Sequence, residues 1–368
     1  MDVRSIIAPV VADKEGLREF VEALADHAPR IERDVARLKS APNDREVVAD
    51  LFRSVHNIKG DAALCKIDLA VAITHPIETV LARLRGGEIE FTDFVAEAVL
   101  LAVDRLELAA EGLSSGKALD GLRLLLLVQG LEKLALAAAS EIDASASELI
   151  EAVTGFRPSA AVSLAARGQV SVLPSGAKTC ADDDLSFFRT LAIQLEERST
   201  QFQGRTARLL LLAQETNQLA GETINAAQLE AAVYMHDIGM MFLPESLWLK
   251  VDHMTQEEKA RLSTHPELAA GILTRMEGWE EAAAMVAQHH EMPDGAGYPK
   301  ALKGAEICDG AKILAIVDAF EAVMLKHIQR GKTRSVLRAI AEVNACDKQF
   351  APEWIEPFNR VIRRSVEA

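Results

Sequence analysis

Apolar residues recur at spacings of three and four positions along almost the whole chain, which is rich in Ala, Leu and Glu. That spacing is the period of an α-helix with one buried stripe, whereas runs of alternating β-branched residues, which would indicate strands, are scarce. We therefore predict an all-α fold. Because 368 residues exceed the size that one hydrophobic core usually serves, two domains are expected.

One segment interrupts the helical pattern. Between Phe156 and Asp184 the sequence contains Pro, Gly and Ser, ends in acidic residues and has no sustained period, as is typical of a linker. We predict an N-terminal helical domain with trailing helices over residues 1–150, a linker over 151–184 and a C-terminal helical domain over 185–368.

Charge and cysteine content exclude several classes of protein. The formal net charge of −15 disfavours binding to nucleic acid, because an acidic surface repels phosphate backbones. The most apolar stretch, residues 122–139, is too short and too charged for a membrane span, and the N-terminus lacks a secretory signal pattern. Four scattered cysteines without a CxxC pair indicate a reducing compartment. We expect a soluble cytoplasmic protein; the long acidic, alanine-rich helices leave a homodimer open.

A histidine is predicted on the exposed face of a helix in the stretch "DLFRSVHNIKGDAALC". On an ideal helix one narrow sector holds Leu51, Val55, Ile58 and Ala62, and a different face holds His56, Lys59 and Gly60. An exposed imidazole can accept a phosphoryl group, a nearby ammonium stabilises its charge, and a missing side chain leaves room for a partner. An isolated histidine at such a position is more often an ordinary surface histidine, because exposed histidines are common.

The surrounding run "LFRSVHNIKGDAALCKI" resembles the histidine phosphotransfer (Hpt) domain, particularly the form found in chemotaxis-type histidine kinases, over about residues 15–115. The resemblance implies an antiparallel four-helix bundle in which His56 exchanges a phosphoryl group with the aspartate of a response-regulator receiver domain. No kinase ATP-binding motif follows, so a cognate histidine kinase is expected as a further partner. Asp61 and residues 63–65 depart from the small Ser and Gly residues that are usual there.

The C-terminal block places histidines and aspartates in apolar company. These residues are His236, Asp237, His265, His289, His290 and Asp318. A carboxylate on an apolar stripe must be paired, hydrogen-bonded or coordinated, because burying it bare costs several kcal/mol. The six residues either satisfy one another in a helical core or bind a metal; imidazole and carboxylate without thiolate suit Fe, Mn or Zn.

The motifs "HDIGMMFLPESLWLK", "THPELAAGIL", "HHEMPDGAGYPKALKGAEI" and "AKILAIVDAFEAV" resemble, in order and spacing, the HD-GYP subgroup of the HD phosphohydrolase superfamily, from about residue 185 onwards. The resemblance implies hydrolysis of cyclic-di-GMP at two divalent metal ions, with Fe or Mn expected and Zn, Ni or Co as alternatives. Asp237 would bridge the ions, and the other five residues would complete their ligand shells.

The same resemblance implies a nucleotide pocket shaped by the loop residues Asp294, Gly295, Gly297, Tyr298 and Pro299. The candidate phosphate contacts are Lys300, Lys303 and Lys312, each of which could equally be solvated surface.

Three positions depart from the HD-GYP pattern. Met240 stands where the family has Lys after H-D-x-G, and Arg205 stands where the H-T-x-R motif has its histidine, with Gln201 one turn earlier. Glu321 keeps the acidic character, but the sequence after it differs. We therefore expect one metal position to lose a ligand.

These departures leave three readings of the chain open. The leading hypothesis is a two-component signalling protein in which His56 phosphotransfer is coupled to cyclic-di-GMP hydrolysis. The alternatives are a degenerate HD-GYP domain that acts as a nucleotide sensor or phosphorelay scaffold, and a phosphodiesterase for another cyclic nucleotide.

Overall fold

A computed structural model describes residues 9, 13–116, 118–156, 180–250, 254–329, 336–346 and 349–367. The all-α prediction is confirmed, because within these ranges the only β-type pairing is a single bridge between Asp294 and Lys303. None of the helices in the same ranges has both the length and the apolar content needed to cross a bilayer.

Sixteen α-helices are described, and short 3₁₀ turns lie at Asp120–Leu122, Ala139–Glu141, Thr200–Phe202, Ile238–Phe242 and Gly304–Glu306. The helices are α1 (Lys14–Ser40), α2 (Arg45–Leu64), α3 (Asp68–Arg85), α4 (Asp93–Ser115), α5 (Leu124–Leu136), α6 (Ile142–Thr154), α7 (Cys180–Glu196), α8 (Arg205–Leu219), α9 (Ala226–Met235), α10 (Glu245–Trp248), α11 (Gln256–Leu262), α12 (His265–Leu273), α13 (Glu280–Gln288), α14 (Asp309–Gln329), α15 (Val336–Asn344) and α16 (Pro352–Glu367).

The chain divides into two compact units, and the division is not contiguous in sequence. The N-terminal unit comprises Met1–Val162, Arg330–Ala345 and Val366–Ala368; the C-terminal unit comprises Ser163–Gln329 and Cys346–Ser365. The boundaries predicted from sequence assign α15 to the C-terminal domain instead. The predicted linker overlaps the last turn of α6 and the first residues of α7. Its centre, residues 157–179, lies outside the described residues.

The N-terminal unit is built on four long helices. α1 packs on α2 and α4, α2 packs on α3, and α5 and α6 cover α3 and α4. Side-chain caps start three of these helices: Asp13 accepts from the backbone N–H groups of Glu15 and Gly16, Asp44 does the same for α2, and Thr92 caps α4. The predicted stripe of Leu51, Val55, Ile58 and Ala62 is buried in this core.

α15 belongs to the N-terminal unit although it follows the C-terminal motifs in sequence. Its Arg338 donates to Glu32 in α1 and to Asp104 in α4, and Arg105 Nη2 donates to the backbone oxygen of Ala341 at 3.0 Å. Charged side chains are rarely buried in proteins unless an opposite charge pairs with them. The helix therefore contributes a buried cation to the N-terminal bundle.

In the C-terminal unit, α9 lies against α7, α8 and α13, while α14 packs on α8 and α13. The 3₁₀ turn Ile238–Phe242 packs against α12. A Cβ atom on Gly239 would lie 1.9 Å from the backbone oxygen of His265, so only glycine permits this approach. This close contact brings the end of α9 beside the start of α12.

Candidate functional sites

His56 lies on α2 with 57% of its side chain exposed. Its Nδ1 is 2.5 Å from Glu78 Oε1 on α3, and Lys59 donates to the other oxygen of the same carboxylate. Glu78 therefore holds the imidazole through Nδ1. A Cβ on Gly60 would meet no atom within 4 Å, so the surface beside the imidazole is open.

Glu78 is a residue of this site that sequence reasoning missed. It is 12% exposed; burial raises its pKa, but hydrogen bonds from Lys59 and His56 outweigh this effect and lower the pKa below its ordinary value. His75 is exposed, and its Nδ1 lies 3.9 Å from Glu78 Oε2. Nothing local in "THPIETV" marks Glu78, because its role depends on how α3 packs against α2.

Phe52 and Arg85 complete the surroundings of His56. The Phe52 ring stacks on the imidazole with centroids 6.0 Å apart and an interplanar angle of 14°, and Arg85 Cζ lies 4.1 Å from the Phe52 centroid. A cation stacked on an aromatic face is attracted by the ring electrons. Arg85 thus adds positive charge to the surface beside His56.

The six predicted metal-site residues converge from four parts of the C-terminal unit. His236 and Asp237 follow α9, His265 begins α12, His289 and His290 follow α13, and Asp318 lies within α14. Their potential ligand atoms form two groups, each within 4.8 Å: His265, His289 and His290 in one, and His236, Asp237 and Asp318 in the other. The structure therefore brings together all six residues.

Backbone carbonyls orient three of the imidazoles. The Nδ1 atoms of His236, His265 and His289 lie 2.7–2.8 Å from the carbonyl oxygens of the residues three positions earlier, Val233, Leu262 and Val286. A carbonyl can only accept, so each Nδ1 carries the proton, and each Nε2 offers a lone pair when its ring is neutral.

Two of these lone pairs meet each other. The Nε2 atoms of His265 and His289 are 3.4 Å apart, and neither carries a proton to share when both rings are neutral. Asp237 Oδ1 lies 3.5 Å from His265 Nε2, is buried, and accepts no hydrogen bond from the described residues. Electron-rich atoms gathered in this way fit a cation, so the residues present suit a metal.

Arg205 occupies the other group. From the first position of α8 its Nη1 donates to Asp237 Oδ2 at 2.8 Å, and its Nη2 forms an ion pair with Asp318 and lies 3.3 Å from His236 Nε2. The sequence indicated only a missing histidine at this position. The structure shows that a guanidinium lies among the ligand atoms.

The pKa values differ between the two groups. Burial lowers the pKa of His265 and His289 and lowers that of His290 to about 4. Burial also opposes protonation of His236, but Asp237 and Asp318 raise its pKa to about 9. The first group is therefore a set of neutral imidazoles at neutral pH.

A second ion pair anchors α8 beside the six predicted metal-site residues. Arg208 donates from Nε and Nη2 to the two carboxylate oxygens of buried Glu321 on α14, both at 2.9 Å. Bidentate pairs of this type restrict geometry as well as adding energy. Arg208 and Glu321 thus fix the helix that carries Arg205. Met240, on the 3₁₀ turn Ile238–Phe242, is partly buried.

The predicted nucleotide loop is held by Glu291. Its buried carboxylate accepts from the backbone N–H groups of Lys300 at 2.6 Å and Leu302 at 2.8 Å. A Cβ on Gly297 would lie 2.3 Å from the backbone nitrogen of Met292, so the loop folds closely onto the chain. These contacts bring Tyr298 to the cluster, with its ring centroid 4.8 Å from that of His290.

The remaining loop residues have simpler surroundings. Asp294 Oδ1 accepts from the backbone nitrogen of Ala296 at 2.9 Å, Gly295 has a φ of 81°, and Pro299 follows a cis peptide bond. Lys300 and Lys303 are exposed. Lys312 instead pairs with Asp309 at 3.0 Å and Glu353 at 3.2 Å, which leaves it less suited to a phosphate than the other two.

Both halves of the chain match known protein families. Residues 15–110 match the family model of the Hpt domain, and residues 189–352 match that of the HD domain. A cyclic di-GMP phosphodiesterase from Thermotoga maritima is 30% identical over 134 residues, which are 36% of this chain and 36% of that protein. A 3'3'-cGAMP-specific phosphodiesterase from Vibrio cholerae is 32% identical over 140 residues, 37% of this chain and 27% of that protein.

The sensor histidine kinase CheAY from Helicobacter pylori is 28% identical over 94 residues, 26% of this chain and 12% of that protein. The chain thus matches between 12% and 36% of the length of these relatives. The resemblances predicted from the motifs are confirmed: the chain has an N-terminal Hpt domain and a C-terminal HD domain related to HD-GYP cyclic di-GMP phosphodiesterases.

Proposed function

We propose that this protein is a signalling phosphodiesterase in which phosphotransfer at His56 controls metal-dependent hydrolysis of a cyclic dinucleotide, with cyclic di-GMP as the first candidate. The observation that carries the proposal is the gathering of the ligand atoms of His265, His289 and His290, together with the buried, unsatisfied Oδ1 of Asp237 that lies 3.5 Å from His265 Nε2. A divalent cation held there would activate water and neutralise charge on the phosphate.

The choice of substrate class rests on the relatives and on the local charge. The two phosphodiesterases named above act on cyclic di-GMP and 3'3'-cGAMP, both cyclic dinucleotides with two phosphodiesters. A protein of net charge −15 needs local positive charge to hold such a dianion. Exposed Lys300 and Lys303 lie on the loop that carries Tyr298, and a bound metal would add to their field.

Within this proposal the residues have distinct roles. His265, His289, His290 and Asp237 hold the cation, while Tyr298 beside His290 offers a ring against which a base can stack. Glu291 maintains the loop through its bonds to the backbone of Lys300 and Leu302. A receiver domain and a cognate histidine kinase are the proposed partners at His56, and the coupling between His56 and hydrolysis is inferred from domain order.

The test is chromatographic turnover of cyclic di-GMP and 3'3'-cGAMP by full-length protein, purified without oxygen and loaded with Fe(II) or Mn(II). Asp237→Asn removes the shared carboxylate, and Asp183→Asn changes an exposed aspartate of the same unit as a matched control. Product from native and Asp183→Asn protein, but not from Asp237→Asn, supports the proposal. Metal bound without any product from either nucleotide contradicts it.

A second candidate function is a nucleotide sensor or phosphorelay scaffold without turnover. Arg205 favours it, because a guanidinium bonded to Asp237 and Asp318 replaces a ligand that the family motif supplies. Met240 favours it too, because a thioether cannot donate to a phosphate oxygen. Tight nucleotide binding by calorimetry without product would assign the chain to this class.

A further inference from the structure

We propose that Arg205 takes the place of one of two metal ions, so that this site binds a single divalent cation through His265, His289, His290 and Asp237. The inference rests on the proposed metal-dependent function and concerns how this chain departs from a dinuclear site. It follows from the different surroundings of the two groups of ligand atoms.

The first group has the spacing that a metal requires. In a tetrahedral shell with bonds of about 2.0–2.1 Å, neighbouring ligand atoms are about 3.4 Å apart. His265 Nε2 lies 3.4 Å from His289 Nε2 and 3.5 Å from Asp237 Oδ1, and the ligand atom of His290 lies within 4.8 Å of those of the other two histidines. Lone pairs at these distances repel one another unless a cation lies between them.

The second group already has its cation. His236 Nε2, Asp237 Oδ2 and Asp318 Oδ1 each have a guanidinium nitrogen of Arg205 within 3.3 Å. A metal bonded to the same three atoms at about 2.0–2.2 Å would lie inside these hydrogen bonds. Because arginine stays protonated in proteins, the metal would also meet a fixed positive charge.

Arg205 is held firmly in this position. Only 14% of its side chain is exposed, and its two terminal nitrogens pair with the carboxylates of Asp237, in the turn after α9, and Asp318, in α14. Its helix is fixed from the other side by the bidentate pair of Arg208 and Glu321. Displacing the guanidinium would leave Asp237 and Asp318 without this partner and a buried charge to be re-solvated.

The replacement changes what the site can do chemically. A guanidinium supplies hydrogen bonds and fixed charge, but it has no coordination position to offer a water molecule or a phosphate oxygen. A symmetric clamp by two metals on the attacking and leaving oxygens is then excluded. Any hydrolysis would depend on one cation, with Arg205 stabilising negative charge beside it.

The test counts bound metal and needs no turnover. Full-length protein is stripped of metal, equilibrated with Zn²⁺, desalted and assayed for zinc per chain by elemental mass spectrometry. The variants are Arg205→His, Asp318→Asn and the double variant His265→Ala/His289→Ala. The double variant removes two ligands of the first group and should lose the ion bound there, and thermal unfolding verifies that each variant is folded.

We expect about one zinc ion per chain in the native protein and in Asp318→Asn, and about two in Arg205→His. Two ions in the native protein, none at all, or one in folded Arg205→His would overturn the inference. If Arg205→His does not fold, Asp318→Asn tests the inference. Loss of zinc from this variant would show that Asp318 is a ligand of the bound ion, and this would contradict the inference.

The inference and the proposed function can fail separately. A native protein with one zinc ion and no turnover with any metal would contradict the phosphodiesterase and leave the single-cation site intact. Turnover by a native protein that holds two ions would support the phosphodiesterase and contradict the single-cation site.

Discussion

Arg338 Nη2 donates to Glu32 Oε1 at 2.7 Å, although the two residues are 306 positions apart in sequence and both side chains are 1% exposed. The same guanidinium pairs with Asp104, so α15 supplies the cation for two carboxylates of the N-terminal bundle. The N-terminal unit therefore includes a helix that lies within residues 189–352, the range that matches the HD domain.

Removing this cation should destabilise the N-terminal unit. We expect Arg338→Ala to lower its free energy of unfolding by about 3–5 kcal/mol, because Glu32 and Asp104 each lose a buried ion-pair partner. The three tryptophans, Trp248, Trp279 and Trp354, all lie in the C-terminal unit, so fluorescence would miss the effect. Hydrogen exchange of α1 and α4 should show it, with exposed Arg33→Ala as control; equal protection in both variants would contradict the prediction.

Phosphorylation should require His56 and should be slowed by loss of Glu78. A charge-assisted hydrogen bond contributes about 1.5–3 kcal/mol, so Glu78→Gln should reduce the rate by about 10- to 100-fold, while His56→Ala should abolish labelling. Intact mass after incubation with phosphoramidate, and then with a phosphorylated receiver domain, measures both. His75→Ala is the control; labelling of His56→Ala equal to native would exclude His56 as the acceptor.

The contribution of Glu78 to stability should depend on pH. Its pKa is lower in the folded protein than the ordinary 4.5, so its ionised form stabilises the fold. This stabilisation is present in full above the ordinary pKa and is lost as pH falls through the folded value. The difference in hydrogen exchange of α2 and α3 between native and Glu78→Gln protein should therefore be largest near neutral pH and shrink below pH 4.5. A difference independent of pH would contradict this.

Gly239→Ala should destabilise the C-terminal unit. The added Cβ would lie 1.9 Å from the backbone oxygen of His265, so α12 must shift, and overpacking of this kind costs about 1–3 kcal/mol. Urea unfolding followed by tryptophan fluorescence reports this unit alone. Gly304→Ala is the matched control, since its nearest neighbour would be 3.9 Å away; equal midpoints for the two variants would show that the close approach is not required.

Nucleotide affinity should depend on Lys300 and Lys303 but not on Lys312. Hydrogen bonds to charged groups contribute about 1.5–3 kcal/mol, so each of Lys300→Ala and Lys303→Ala should weaken cyclic di-GMP binding about tenfold. Lys312 is already paired with Asp309 and Glu353, so Lys312→Ala should leave affinity unchanged. Calorimetry with the three variants measures this, and a loss confined to Lys312→Ala would reverse the assignment.

The sequence by itself determined the helices, the residue types of both sites and the two families. Helical periodicity is local, so the burial of Leu51, Val55, Ile58 and Ala62 and the exposure of His56 could be predicted from one short segment. The spacing of the motifs likewise identified all six residues that gather in the HD domain.

Tertiary structure decided which residues are partners. Glu78 reaches His56 from 22 positions away, Arg205 reaches Asp318 across 113, and Arg338 reaches Glu32 across 306. From the sequence, position 205 could be interpreted only as a missing histidine. The two carboxylates that pair with the Arg205 guanidinium lie far from it in sequence, on other elements. A periodic pattern specifies which face of a helix is buried, whereas the packing of whole helices specifies what that face meets.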